Sequence, residues 1–488
     1  MASLTREDIR SVIEIIKELY LEDMLPWICG YSGGKDSTAI VQLVWYALQE
    51  LPTEKLKKTV HVISTDTLVE SPVVAIWATE SLKKMDQTAK QQGLPIVSHR
   101  LTPTTTNTFW VNLIGRGYPY PRRDFRWCTG RLKIDASNRF IQSILDAESE
   151  AILVLGSRKA ESATRRAVLE EYEKKRYRAH LSPNGSFSNS YVFTPIENWS
   201  NDNVWQYLVQ FPNPWGHSNK DLLAMYSGAS SDGECPLVID TSTPSCGNSR
   251  FGCWVCTMVT EDKSMAAMIQ NDEEKAWMLP MLEFRNEIAG DLDTDRERRD
   301  FRRRDGRLQW YNNRLVHGPY TKKIREYFLQ RLLEVEKLVH EIGPEQIKTV
   351  PLITMEELKL IRQIWLDEFH EFDDSLPKIY EKVTGEKYSD GTISKNKYFG
   401  APEAELLNTV CTELYPDEQL LTEMQRALLD IEAKAAAISS KRNVILNFEK
   451  EIKKAFYKNE SEAEKIAETR AHRISGITSG TIPDDLVD

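Results

Sequence analysis

A chain that places Tyr31-Ser32-Gly33-Gly34-Lys35-Asp36-Ser37 between an apolar run and a helical repeat has few folds open to it. Before the glycines, Leu25-Pro26-Trp27-Ile28-Cys29-Gly30 is short and apolar enough for a buried strand. After them, Ile40, Leu43, Val44, Ala47 and Leu48 recur at helical spacing. Strand, glycine turn and helix N-terminus aim unpaired backbone N–H groups and the positive end of a helix dipole at one small volume. That arrangement suits phosphate. Gly33 and Gly34 let the backbone approach an anion, Lys35 adds a mobile positive charge, and Ser32 and Ser37 add hydroxyl donors. A surface turn with an N-cap is the bland alternative, and the flanking strand and helix argue against it. The Walker A spacing is absent.

The rest of the N-terminal half repeats the alternation. Residues 4–24 read as an amphipathic helix with a capping box between Thr5 and Asp8. Residues 59–67, 95–101 and 151–156 read as strands, and 71–92 as a helix stopped by Gly93. Strands alternating with helices predict an α/β fold with a doubly wound parallel sheet, whose ligands sit beyond the carboxyl ends of the strands. Residues 32–37, Asp66 and Gly156-Ser157-Arg158 all fall on that edge. Asp66 there either caps a turn or faces a nucleotide and its metal.

At 488 residues the chain is long enough for about three domains. We place them at 1–225, a nucleotide-binding domain; 226–320, a cysteine and arginine segment; and 321–488, a mostly helical region. The formal net charge of −10 means that any nucleic-acid surface must be local. No run of 18 apolar residues and no signal-peptide pattern appears, so a cytoplasmic protein without membrane contact is expected. Seven cysteines, three of them in Cys246-Gly247-Asn248-Ser249-Arg250-Phe251-Gly252-Cys253-Trp254-Val255-Cys256, favour a metal site over disulfides. Four thiolates could hold zinc or an iron–sulfur cluster, with Cys128 or Cys235 as the fourth. Cys29 and Cys411, taken singly, read as buried core thiols, and His217 as an ordinary loop residue.

Residues 226–250, rich in Ser, Gly, Asp and Pro, read as a loop or lid. Between Arg296 and Arg307 stand seven arginines against three acids. If that run is helical, Arg296, Arg299, Arg303 and Arg307 share a face, and Trp310 and Tyr311 follow. This is either a solvated face or a surface for nucleic-acid phosphates and bases. Helices are predicted over 324–342, 355–371 and 403–458, the last broken near Pro416. Residues 376–397 read as turn-like and 481–488 as a disordered acidic tail.

Several motifs together carry a family resemblance. The glycine loop is similar to the pyrophosphate loop of the ATP pyrophosphatases, the superfamily of PAPS reductases and tRNA-thiolating enzymes. Gly156-Ser157-Arg158 followed by Glu161-Ser162 and Arg165 resembles the PAPS-reductase pattern after a strand. So do an arginine, Cys128 and Lys133 in the loop before it, and Pro195-Ile196 with Trp199-Ser200 and Trp205. The last segment has Asn203 where the family has Asp. With the Cys253–Cys256 turn and the long helical half, the chain resembles the DndC family of bacterial DNA phosphorothioation systems.

That resemblance implies ATP cleavage to AMP and pyrophosphate with Mg²⁺. Lys35, Asp36 and Arg158 would be catalytic, and Ser32, Gly33, Gly34, Lys35, Asp36, Ser37, Asp66, Gly156 and Arg158 would hold the nucleotide. Arg158 and Arg165 would offer forked donors to phosphate oxygens. It also implies a 4Fe-4S cluster on Cys128, Cys246, Cys253 and Cys256, with Cys235 competing as a ligand. Sulfur would come from a cysteine desulfurase and enter the DNA backbone. Partners would include an ATPase related to chromosome-maintenance proteins and a small DNA-binding protein. A tRNA-thiolating enzyme and a PAPS or APS reductase share the loop, although no cysteine follows Cys411 to serve as a reductase nucleophile. A non-catalytic, zinc-stabilised nucleic-acid-binding subunit would not need the intact loop.

Overall fold

The computed structural model describes residues 4–229, 252–389, 399–416, 418–436 and 443–478. The chain divides into two compact units. The first comprises Met1–Thr104, Pro121–Arg285 and Ile342–Val350, and the second comprises Thr105–Tyr120, Asn286–Glu341 and Pro351–Asp488.

In the first unit, β1 (Trp27–Gly30), β2 (Val60–Thr65), β3 (Ile96–Leu101), β4 (Ala151–Val154) and β6 (Ser190–Phe193) run parallel. The two-residue β5 (Ser182–Pro183) pairs antiparallel with β6, and the spatial order is β3-β2-β1-β4-β6-β5. The doubly wound sheet expected from the sequence is therefore present, with β1 at its centre. Side chains alternate across it. Trp27 and Cys29 join a core with α1 (Arg6–Glu22), α2 (Lys35–Gln49) and α3 (Pro72–Gln92). Ile28 faces the other way, onto Ile141 and Leu145 of α4 (Asp135–Glu148). Both faces are covered, so the strands read as continuous apolar runs. Cys29 pairs in register with Val62 on one side and Val154 on the other. Its thiol is a core group, pushed up to about 12 by burial.

The predicted elements match closely at their ends. Thr5 and Asp8 form the capping box of α1, and Gly93 ends α3 in the left-handed conformation. Two differences matter. Helix α2 begins at Lys35, five residues before the first apolar position of its repeat, Ile40, so the glycine loop itself is the helix start. Strands β5 and β6 were not read, because each is short and bounded by the polar run Asn184-Gly185-Ser186. Beyond α5 (Ala163–Lys174) and α6 (Asn201–Gln210), α7 (Asn219–Gly228) occupies the start of the expected loop. Residues 230–251 of that stretch, with Cys235 and Cys246, lie outside the described residues. Helices α8 (Lys263–Asn271) and α9 (Leu279–Ala289) follow.

Among the described residues the second unit is mostly helical, with one hairpin. After α10 (Leu292–Glu297) come β7 (Trp310–Tyr311) and β8 (Arg314–Leu315), joined by Asn312 and Asn313, both at positive φ. Then follow α11 (Lys322–Ile342), α12 (Met355–Glu368), α13 (Ser375–Thr384), α14 (Ala401–Leu414), α15 (Gln419–Ala436), α16 (Val444–Lys454) and α17 (Glu460–Thr478). Leu315, Leu420, Tyr457, Ala463 and Ala467 form a core cluster there.

Three expectations for this half are corrected. Residues 375–384 are a helix rather than turn-like. Over 403–458 the described residues form three helices, interrupted near Pro416 as expected, the last starting after Asn443 at positive φ. The arginine run is helical only to Glu297, because Asp300 and Asp305 bend the chain by accepting backbone N–H groups two residues on. The acidic tail at 481–488 lies outside the described residues.

Candidate active site at the carboxyl edge of the sheet

The site grows from β1. Gly33 has φ +75°, which lets the chain turn directly from strand to helix, and Gly34 caps α2 without a side chain. A Cβ on Gly34 would stand 3.1 Å from the Tyr226 hydroxyl and 3.4 Å from Ser32 Oγ. Ser37 Oγ accepts from Ser32 N at 3.2 Å and donates to the Gly34 carbonyl at 3.0 Å, folding the loop back on its own helix. The loop thus presents its backbone where the α2 dipole is positive.

Charged groups meet over this helix start. Asp36 Oδ2 lies 3.1 Å from Lys35 Nζ, and Arg158 Nε donates to Asp36 Oδ1 at 2.7 Å. Arg158, 3% exposed, also donates from Nη1 to the Trp199 carbonyl at 3.2 Å. One charge-assisted bond therefore ties the guanidinium to the Asp36 carboxylate, and a second anchors it to a main-chain carbonyl. Gly156 makes this approach possible: a Cβ there would lie 3.2 Å from the Asp36 backbone carbon. The Ser32–Ser37, Gly156 and Arg158 readings thus come together across the gap between β1 and β4. There the connections leave in opposite directions, the place where open α/β sheets bind ligands.

Arg165 and Asp66 are placed differently from the other readings. Arg165 is half exposed and ion-paired with Glu161, whose carboxyl is raised by burial and then lowered by Arg165. Asp66 follows β2 and closes a turn by accepting from Leu68 N at 2.8 Å, while its other oxygen lies 3.2 Å from Arg100. The turn-capping role is visible in the structure.

The thiols sit on the same edge. Trp254 N donates to the Val69 carbonyl at 2.9 Å, and Ser71 N donates to Gly252 O at 3.3 Å. The Cys253–Cys256 turn is therefore stitched to the segment after β2. Cys253 Sγ lies 3.3 Å from Thr67 Oγ1. Arg285, fully buried, holds the turn from below by donating from Nε to the Cys256 carbonyl at 2.9 Å. Cys128 precedes a π-helical turn, Thr129–Ile134; burial pushes its thiol up, and the neighbouring Cys256 adds to the rise. Burial pushes the Cys253 thiol up to about 11, against the pull of Lys133.

An all-thiol donor set from two loops fits a soft metal or cluster in kind. Among the described residues no three His, Cys, Asp or Glu side chains converge tightly enough to hold a metal ion, and Cys246 is not among those residues.

Sequence reasoning missed Tyr226, whose hydroxyl accepts from Lys35 N at 3.4 Å, and the Trp199 carbonyl; neither carries a local signal. His217, read as a loop residue, is buried and stacked on Trp77 at 3.7 Å. Asn203 is explained: its side chain accepts from Ser200 N at 2.9 Å while Ser200 Oγ accepts from Asn203 N, a capping box that Asp would also make.

A doubly wound sheet with a glycine-capped helix start at its switch point defines an α/β domain whose ligand edge is the carboxyl end of β1 and β4. Residues 26–211 match the phosphoadenosine phosphosulfate reductase domain, so this part of the chain is a PAPS reductase-like domain. An uncharacterized protein of Methanocaldococcus jannaschii is 29% identical over 206 residues, which are 42% of this chain and 36% of that protein. The chain therefore spans little more than a third of the length of that relative. Among solved structures, PAPS reductase from Candida auris is 12% identical, with a TM-score of 0.25 over 43% of this chain and 88% of its own. The U34-tRNA thiolase NcsA from Methanococcus maripaludis, with its [4Fe-4S] cluster, is 16% identical, with a TM-score of 0.27 over 42% of this chain and 62% of its own. Among the described residues no helix is long and apolar enough to cross a membrane.

Proposed function

We propose that the chain is an ATP pyrophosphatase that activates a DNA backbone phosphate for sulfur insertion. The observation that carries the reading is the Lys35–Asp36–Arg158 cluster over the glycine-capped start of α2, on the edge where the Cys253–Cys256 turn is stitched. A phosphodiester oxygen is a poor leaving group. Its attack on the α-phosphorus of ATP makes an adenylated backbone phosphate and expels pyrophosphate. A sulfide-level donor then attacks the backbone phosphorus, and AMP departs with the original oxygen. Lys35 and the α2 amides stabilise the charge on the departing pyrophosphate, to which Mg²⁺ would add its own charge when bound, and Arg158 keeps Asp36 oriented.

A 4Fe-4S cluster held by Cys128, Cys246, Cys253 and Cys256 would supply iron with affinity for sulfur. In this reading a cysteine desulfurase provides the sulfur as a persulfide, and a thiol reductant supplies the two electrons that cleave its S–S bond and bring the outer sulfur to the sulfide level before transfer. An ATPase subunit and a small DNA-binding protein complete the system, in the cytoplasm.

The test compares DNA from cells with and without this gene, digested and analysed for phosphorothioate dinucleotides, together with pyrophosphate release by purified protein. Lys35→Ala and Asp36→Ala should each remove both signals. Thionucleosides lost from tRNA, with DNA unchanged, would replace the DNA reading with a tRNA-thiolating one.

A further inference from the structure

The second unit holds a cavity of about 1300 Å³ that the nucleotide site does not use. Its walls come from the bent arginine segment, the start of α11, the end of α12, and α15 and α16. Most of its charges are already matched. Arg302 is held by Asp300 and Glu423, Arg304 by Glu368, Arg307 by Asp305, and Lys454 by Glu451. The buried Arg325 pairs with Glu371 at 2.5 Å, and its guanidinium lies 4.0 Å over the Phe369 ring. These pairs stiffen the walls and leave little net field.

Four lining cations are different: Arg303, Lys323, Arg426 and Lys450 have no carboxylate partner among the described residues. Arg426 reaches only the Phe369 carbonyl, at 3.5 Å from Nη2, and its Nε is buried without a hydrogen-bond partner. A buried guanidinium N–H left unmatched is costly unless a ligand completes it.

We infer that this cavity is a binding site for the phosphodiester backbone of a nucleic-acid strand, contacted by Arg303, Lys323, Arg426 and Lys450. Its volume exceeds the 300–1,000 Å³ or so of small-molecule sites, which points to a length of polymer. The chain as a whole carries −10, so a polyanion is repelled elsewhere and concentrated here. Tyr311, 65% exposed, stands on the hairpin two residues beyond the wall residue Gln309 and offers a stacking face for a base. The contacting set differs from the face that Arg296, Arg299, Arg303 and Arg307 would share if the run were helical. Arg296 and Arg299 are tied to Glu460 and Asp295, and only Arg303 of that face has no carboxylate partner. Anion binding here stands on the cavity alone. The choice of DNA as the natural strand rests on the function proposed above.

Fluorescence anisotropy of a labelled 20-nucleotide strand, with the full chain and a salt series, tests the site. The variant Arg303→Ala/Lys323→Ala/Arg426→Ala/Lys450→Ala should bind at least about tenfold more weakly. Its log–log salt slope should be shallower by about 3, from about 0.7 per lost phosphate contact on a single strand. A triple variant sparing the partly buried Arg426 guards against misfolding and should lose about 2 from the slope. A control that removes the same charge elsewhere, Lys57→Ala/Lys90→Ala/Lys174→Ala/Lys220→Ala, should bind as the parent does.

Equal weakening in the control, or unchanged binding in both cavity variants, overturns the site. Equal affinity for polyglutamate of matched charge, lost in the same variants, overturns the assignment to nucleic acid. Parallel arms with duplex DNA and RNA identify the strand, and preference for RNA would retain the site while removing DNA as its occupant. Pyrophosphate release is read on every variant. Its retention with binding lost separates this site from the nucleotide site, and its absence in the parent would sink the pyrophosphatase and leave the cavity result standing.

Discussion

Arg158 is the residue on which the nucleotide edge turns. It is buried, yet its partner Asp36 is partly open, so the pair is neither a surface bridge nor a dry one. Removing the guanidinium leaves a carboxylate without its main partner, and Arg158→Ala should lose about 3 kcal/mol in denaturant melts. Arg158→Lys keeps the charge but cannot reach Asp36 and the Trp199 carbonyl together. It should fold, with pyrophosphate release reduced about tenfold or more. Gly156→Ala should cost about 1–3 kcal/mol, because the new methyl meets the backbone of Asp36 at 3.2 Å. Glycines at 33 and 34 were legible as a phosphate turn from their neighbours alone. The role of Gly156 was not, since the reason for it is a helix more than a hundred residues away in the chain.

Among elements, α6 and the loop after it make the clearest cases. Asn203→Asp should leave stability unchanged or slightly raised, because the capping box survives and an acid joins the first turn of α6. Asn203→Ala should lose about 1 kcal/mol. His217 and His61 are each lowered to about 4 by burial, with Lys84 adding to the effect at His217 and His99 at His61. Both are bases kept neutral in the fold. Above pH 6.5 they are neutral folded or unfolded and contribute no pH dependence. Between pH 6.5 and about 4 the unfolded chain binds protons that the folded chain refuses, so stability falls as pH falls. Melting temperatures should drop on acidification across that window, and His217→Phe should flatten the drop while keeping a ring against Trp77.

Helix and strand types were readable because apolar periodicity and end signals agree in most elements of the first unit. The arginine run misled for a physical reason. Its charges suit a helical face, but Asp300 and Asp305 compete for backbone N–H groups and break the helix that such a face would need.

Across the whole molecule, a cluster on the proposed cysteines would link loops far apart in sequence. Anaerobically prepared protein should be brown, with about four irons per chain, if the cluster is of the 4Fe-4S type. Cys128→Ser, Cys253→Ser, Cys256→Ser and Cys246→Ser should bleach it, while Cys29→Ser and Cys411→Ser should not. Colour lost in Cys235→Ser but kept in Cys246→Ser would reassign the fourth ligand. One zinc in colourless protein would remove the iron–sulfur assignment. In the α/β half, strands β1 to β4 were legible in the sequence, and β5 and β6 were not. Nor was the cavity of the second unit, because the helices and loop that form it are scattered from Asp300 to Ala455.

The central position of β1 has a consequence in time. Its amides are bonded on both sides and covered on both faces, so they can exchange with solvent deuterium only when much of the first unit opens. The glycine loop hangs directly from that strand. Labelling should therefore find β1 among the slowest segments and the short β5 edge among the fastest. Adding ATP should slow the Lys35 and Asp36 amides far more than it slows β1, because a loop anchored to the last part to open has little left to rearrange.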